Sequence, residues 1–210
     1  MEQMPLAADR RKRKMKKIII ALLIALIIPA CVFAGRGLFD LTLGVTASSS
    51  YDINDVKEGA LKEFQFDALR FGADAELKLA FVALDGKGFY DSANKGLSGI
   101  ISGNLAVDIF FVRVKAGLGY AYTYNLDTKE FYFGNGINGG YASDMSEFEK
   151  ANFDVNVGVD VLLGPLTVGA YATLPTTCSI ENGQWGDIVK ALGDNWASAK
   201  LGVTVGFALL

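Results

Sequence analysis

The sequence predicts an all-β protein, an eight-stranded antiparallel up-and-down barrel that crosses a membrane. Three observations predict it. Apolar and polar residues alternate at period two through nearly every segment beyond residue 38, and no long stretch shows the helical period. The alternating runs form three hairpins with very short turns, flanked by one unpaired run at each end. The connections on the other side are long and polar, so short turns and long loops collect at opposite ends.

The elements follow in chain order. Residues 10–17 are strongly basic, Ile18 to Ile28 is an unbroken apolar run of 11, and Pro29 ends it. Val32-Phe33-Ala34 then offers a signal-peptidase site. Residues 1–34 therefore read as a secretory signal cleaved after Ala34, and residues 35–210 as the barrel domain. A run of 11 is too short to span a bilayer as a helix. Met15 is a second candidate start, and Ile28-Pro29-Ala30-Cys31 leaves open a lipidated Cys31, although proline departs from the usual lipoprotein pattern.

Phe39, Leu41, Leu43, Val45 and Ala47 form the first alternating run. Ala75 to Tyr90 reads as two runs with a change near Phe81-Val82. The alternation from Leu69 to Leu84 is also consistent with one long strand, in which case Glu130 to Phe133 would supply the missing one. Leu105 to Tyr124 turns near Phe111-Val112, and Asn156 to Leu174 turns at Gly164-Pro165. Ala197 to Leu209 alternates to the end. An even strand number brings both termini to the short-turn end. The expected loops are Ser49 to Gln65, Asp91 to Gly96, Leu126 to Lys150 and Pro175 to Asn195. Within the last, Asp187 to Leu192 is open to two readings, a short helix over the barrel mouth with Asp187 as cap and Gly193 as stop, or a disordered loop.

Periodicity leaves open whether the apolar face meets lipid or lines an interior. The residues of the polar face decide it. They are mostly small, such as Gly158, Gly117, Gly119, Gly202 and Gly206, as a narrow eight-stranded lumen requires. The charges among them are of both signs: Arg70, Lys78, Arg113, Lys115 and Lys200 against Asp74, Glu76, Asp108, Asp154 and Asp160. In a closed lumen they would pair, which partly offsets their desolvation. The other face has no charge in the strand interiors. Aromatic residues gather toward the long-loop ends: Tyr90, Tyr120, Tyr122, Tyr124, Phe153 and Trp196. They suit an interfacial girdle.

Composition narrows the chemistry. Without residues 1–34 the chain holds 13 Lys and Arg against 21 Asp and Glu, a net charge of −8 that argues against nucleic acid as a partner. The absence of histidine removes the commonest general base and zinc ligand, so no enzyme, cofactor or metal is expected. Asp52, Asn54, Asp55 and Glu58, and likewise Asp144, Glu147 and Glu149, are acidic loop clusters without Ca²⁺-loop spacing. Asp154 and Asp160 read as lumen charges rather than a catalytic pair. Only Cys178 would remain after cleavage, so no internal disulfide is expected.

Ala73-Asp74-Ala75-Glu76-Leu77-Lys78, the hairpins "VDIFFVRVKAGLGY" and "VDVLLGPLTVGAY", and the closing "KLGVTVGFALL" resemble the small eight-stranded outer-membrane proteins of the OmpA, OmpX and OmpW type. They look most like the short barrel proteins of spirochaete outer membranes. The resemblance covers almost all of the chain after residue 34. It implies an outer-membrane location, assembly by the barrel-assembly machinery, a lipid environment and, for OmpW-type barrels, a narrow conduit for small or hydrophobic molecules. The chain departs from the pattern at its end, where Leu210 stands in place of a terminal aromatic. The other expectation retained is a periplasmic or lipid-anchored soluble barrel that binds a small apolar ligand inside.

Overall fold

The computed structural model describes residues 37–52, 69–91, 95–193 and 195–209. The expected signal, Cys31, the alternative start at Met15, the loop residues Asn54, Asp55 and Glu58, and Leu210 lie outside the described residues.

Eight long strands close into a ring: β1 (Phe39–Asp52), β2 (Leu69–Leu79), β3 (Val82–Asp91), β4 (Gly96–Ile109), β5 (Val112–Asn125), β7 (Asn152–Leu163), β8 (Leu166–Ser179) and β9 (Lys200–Ala208). The short β6 (Phe131–Phe133) lies beside β5 only. Every ring strand pairs antiparallel with its neighbours in sequence, and β1–β9 completes the closure. This is an up-and-down barrel of eight strands, as the alternation predicts. Leu69 to Leu84 is not one strand. A turn at Ala80-Phe81 splits it, and Phe131–Phe133 extends β5 instead of entering the ring.

The three tight turns are Ala80-Phe81, Phe110-Phe111 and Gly164-Pro165, each closed by a pair such as Leu79↔Val82 or Ile109↔Val112. The first two lie one residue earlier than the sequence reading placed them. In each turn the first residue has a positive φ: 54° at Ala80, 56° at Phe110 and 62° at Gly164. That conformation matches the twist of the flanking strands, and glycine adopts it without steric penalty. Phe39 and Ala208 lie at this same end.

The opposite end carries the longer connections. Pro175 to Ser179, expected as loop, continues β8, and a register shift against β7 falls between Asn152 and Asp154. Asn135 and Thr176 satisfy the interrupted ladder. Asn135 Nδ2 donates to the carbonyls of Phe153 (3.2 Å) and Thr176 (2.9 Å), and Thr176 Oγ1 donates to Phe153 (2.7 Å). The helix α1 (Gly186–Gly193) forms but does not cover the mouth. Ala191 and Ile188 pack on Val155, Ala172 and Leu174, whose neighbours Asn156 and Tyr171 point inward, so α1 lies on the outer wall. Its first turn is tied to β8 by the Thr177 hydroxyl, which donates to Asp187. That bond, with Lys190 beside it, holds the Asp187 carboxyl below its usual range.

Side chains alternate as the two-residue period requires, and the polarity is outward apolar, inward polar. Leu43, Val45, Phe71, Leu84, Leu105, Val159, Val203 and Val205 are exposed, whereas Thr42, Asp74, Glu76, Asn104, Lys115, Asp160 and Thr204 are buried. The aromatic girdle is only partly exposed. Tyr90 and Trp196 are exposed. Phe153 is buried, because Tyr120 and Trp185 pack on it at a tilt and Phe148 packs on Tyr120, with centroids 4.6, 5.8 and 4.5 Å apart. Tyr122 lies flat over the outer side of β4 and β3. A Cβ on Gly99 would fall 2.5 Å from its hydroxyl, and that hydroxyl donates to the Lys87 carbonyl at 3.3 Å. A ring laid over strand glycines restores packing that glycine otherwise forfeits in a strand.

Candidate functional site

The barrel interior divides into two levels. The lower level, at the tight-turn end, is a continuous ionic network. β5 carries Arg113 at its start, and its guanidinium donates to Asp40 on β1 (2.7 Å), Glu76 on β2 (2.5 Å) and Asp108 on β4 (2.8 Å). Lys78 on β2 also reaches Asp108, at 2.8 Å. Two residues along β5, Lys115 bonds Glu76 and approaches Asp160 on β7 (2.8 Å) and Asp85 on β3 (3.7 Å). Lys87 pairs with Asp85 and lies 3.6 Å from Asp74, which accepts from Thr204 at 2.5 Å. Arg113, Lys87 and Asp40 are among the most deeply buried side chains of the protein.

Charged groups in a lumen this narrow persist because each finds an opposite charge and a hydrogen bond across it. The network joins six carboxylates (Asp40, Asp74, Glu76, Asp85, Asp108 and Asp160) to four cations (Lys78, Lys87, Arg113 and Lys115). No cation is therefore spare, and each of the four bridges strands. Above it sits a neutral layer in which Asn156 Nδ2 donates to Ser102 Oγ and Asn104 Oδ1, both at 3.2 Å. Tyr171 closes this level. Its hydroxyl shares a hydrogen bond with Thr46 Oγ1 at 3.0 Å, and Lys87 Nζ lies 4.7 Å from its ring centroid. Gly202 makes room for the ring, since a Cβ there would fall 2.2 Å from it. Gly202→Ala is accordingly expected to displace Tyr171 and destabilise the barrel by about 1–3 kcal/mol through overpacking. Denaturant titration of the folded fraction measures it, and Tyr171→Ala in the same background should remove most of the effect.

The upper level is a vestibule of about 390 Å³ open toward the long loops. Arg70, Phe89, Ile100, Asp154, Tyr171 and Lys200 are among its lining residues. Asp154 accepts from Asn135 Nδ2 at 2.8 Å, so the long loop after β6 helps to build the wall. Arg70 makes one long hydrogen bond, Nη1 to Ser98 Oγ at 3.4 Å, with its guanidinium 5.9 Å from the Phe89 centroid.

Seven of the ten charges read from the sequence lie in the network: Asp74, Glu76, Lys78, Asp108, Arg113, Lys115 and Asp160. Arg70, Asp154 and Lys200 line the vestibule instead. Asp154 and Asp160, six residues apart on β7, are separated by roughly 20 Å along the strand and form no pair. Three network members are absent from the sequence reading: Asp40, Asp85 and Lys87. The parity of "LDGKGF" places Asp85 and Lys87 on the face opposite Leu84, and this was the available signal. In the loop cluster, Asp144 caps the 3₁₀ turn Met145–Lys150 by accepting from Ser146 N, and Glu147 pairs with Lys150 at 2.7 Å. Among the described residues no group of three or more His, Cys, Asp or Glu is placed to hold a metal ion.

Comparison with known proteins adds no relative. No protein-family model, no curated protein and no solved structure matches this chain. The functional reading therefore rests on the barrel itself, its outer surface and its two-level interior.

Proposed function

We propose that the chain is a non-enzymatic integral outer-membrane β-barrel protein, exported by its N-terminal signal, with the tight turns in the periplasm and the vestibule facing the exterior. The observation that carries this reading is the outer surface. The outward positions of the paired segments of all eight ring strands carry no charge, and many of them are large, apolar and exposed. A contiguous apolar surface of this extent in water drives association. Around a closed barrel, which leaves no unpaired strand edge, it matches acyl chains. A soluble barrel around an apolar ligand needs the opposite polarity, and its interior would not hold ten interlocked charges. Outer-membrane lipid and, during biogenesis, the barrel-assembly machinery are the partners this reading implies.

Refolding residues 35–210 with and without detergent micelles tests it. A β-type circular dichroism spectrum and a heat-shifted gel mobility are expected only with detergent. A folded, monomeric β protein in plain buffer would overturn it.

The filled lower lumen supports a closed barrel rather than a conduit. Reconstituted in a planar bilayer, the protein is expected to show no steady ion conductance, since wide aqueous channels require many more strands. Discrete, lasting conductance steps would contradict this.

The exposed side of α1 extends the same logic. A belt of lipid-facing strand takes about 9–11 residues, which on β8 runs from Leu166 to about Leu174. There α1 presents Val189 and Leu192, with Trp185 just before it and Trp196 beyond, all exposed. Trp185 and Trp196 are the two tryptophans of the chain. In vesicles their fluorescence is expected to be quenched more by lipid brominated near the headgroup than by lipid brominated at the chain ends. Equal access to an aqueous quencher would place α1 in water instead.

A further inference from the structure

We propose that the vestibule is a binding site for a small organic anion, one with a carboxylate, sulfonate or phosphate on an apolar body. Its volume of about 390 Å³ lies within the range of small-molecule sites. Its floor is closed by Tyr171 and the ionic network beneath, so it is a dead end rather than a passage.

The wall chemistry selects the ligand. Phe89 and Ile100 are buried and line the cavity with Ala121 and Pro175, offering apolar contact on several sides. The charged lining residues are two cations, Arg70 and Lys200, and one carboxylate, Asp154. The carboxylate already accepts a hydrogen bond from Asn135. Arg70 is under-used: its Nε is buried with no hydrogen-bond partner among the described residues, and its one side-chain bond is the 3.4 Å contact with Ser98. A buried guanidinium N–H without an acceptor carries the full desolvation penalty of that donor. The guanidinium fork pairs with an oxyanion through two parallel bonds, and Nε is one of the fork's donors. An anion entering from the loop end meets Arg70 with Lys200 nearby, while its apolar body rests against Phe89, Ile100 and Pro175. The acidic lumen below, with six carboxylates to four cations, repels the anion from passing deeper.

The test uses benzoate as probe, with benzylamine and benzyl alcohol as size-matched cation and neutral controls. The full barrel, in micelles or nanodiscs and with isotope-labelled isoleucine methyls, is titrated and followed by NMR. Benzoate is expected to give saturable shifts at the Ile100 methyl and to bind at least tenfold more tightly than benzylamine. Arg70→Met should weaken benzoate at least tenfold, and Lys200→Met, at the rim, severalfold. Lys95→Met, an exposed loop change outside the cavity, should leave it unchanged. Heat-shifted gel mobility of each variant reports folding separately, so Lys200→Met still decides the matter if Arg70→Met misfolds. Equal shifts with all three probes, absence of saturation, or undiminished binding in the folded cation variants would overturn the proposal. The site does not depend on what surrounds the barrel. Folding in plain buffer would sink the membrane reading while leaving this titration interpretable.

Discussion

Arg113→Ala is expected to destabilise the folded barrel by about 3–5 kcal/mol, the loss found when one partner of a buried ionic cluster is removed. Arg113 alone joins Asp40, Glu76 and Asp108, which come from three different strands. Without it the network would hold six carboxylates against three cations. Lys78 would still face Asp108 and Lys115 would still face Glu76, but Asp40 would lose its salt bridge to Arg113. Arg113→Lys should recover only part of the loss, because an ammonium lacks the planar five-donor fork that Arg113 spreads over Asp40, Glu76 and Asp108. Lys78→Ala should cost less, since Asp108 keeps two bonds from Arg113. Denaturant unfolding of the micelle-bound protein, followed by the heat-shifted gel band, ranks the three variants. A loss below about 1 kcal/mol for Arg113→Ala would mean that the network fills space without holding the strands together.

The ranking also bears on what the sequence could reveal. Charge on the small-residue face was legible because Arg113 and Lys115 alternate with Val112, Val114 and Ala116 in an otherwise apolar hairpin. Asp85 and Lys87 are harder to read, because in the Gly-rich second run their face alternates with Gly86 and Gly88 and not with large apolar residues. The turns show the same physics. Gly164-Pro165 announces itself by residue type, whereas Ala80 and Phe110 adopt a positive φ with no glycine to mark it, so those turns were placed one residue late. Nothing in the period distinguishes a lumen charge low in the barrel from one at the mouth. Depth follows from register, and register places Arg70 opposite Ser48 and Lys200 opposite Thr173, both at the loop end. The position of α1 was likewise out of reach. Its amphipathic pattern predicts an apolar partner, but the pattern is equally consistent with the mouth or the outer wall.

Val45→Arg separates the two environments for the outer surface. Val45 is 65% exposed, sits near the middle of the lipid-length part of β1, and pairs with Ala73 and Val205. At the midplane of a bilayer an outward arginine costs about 2–4 kcal/mol. On a water-facing surface a substitution at an exposed position stays within about ±0.5 kcal/mol. The control is Met145→Arg, on the loop beyond β6 and also exposed, which should be near neutral in either setting. Unfolding is measured in phospholipid vesicles, where the hydrocarbon thickness is fixed, because a micelle deforms around a charge. A large loss for Val45→Arg with none for Met145→Arg means that position 45 leaves water for acyl chains when the barrel folds. Near-neutral behaviour for both would place Val45 in water. The uncharged outer face would then need a protein partner of matching curvature, because an exposed apolar ring of this size is not stable alone.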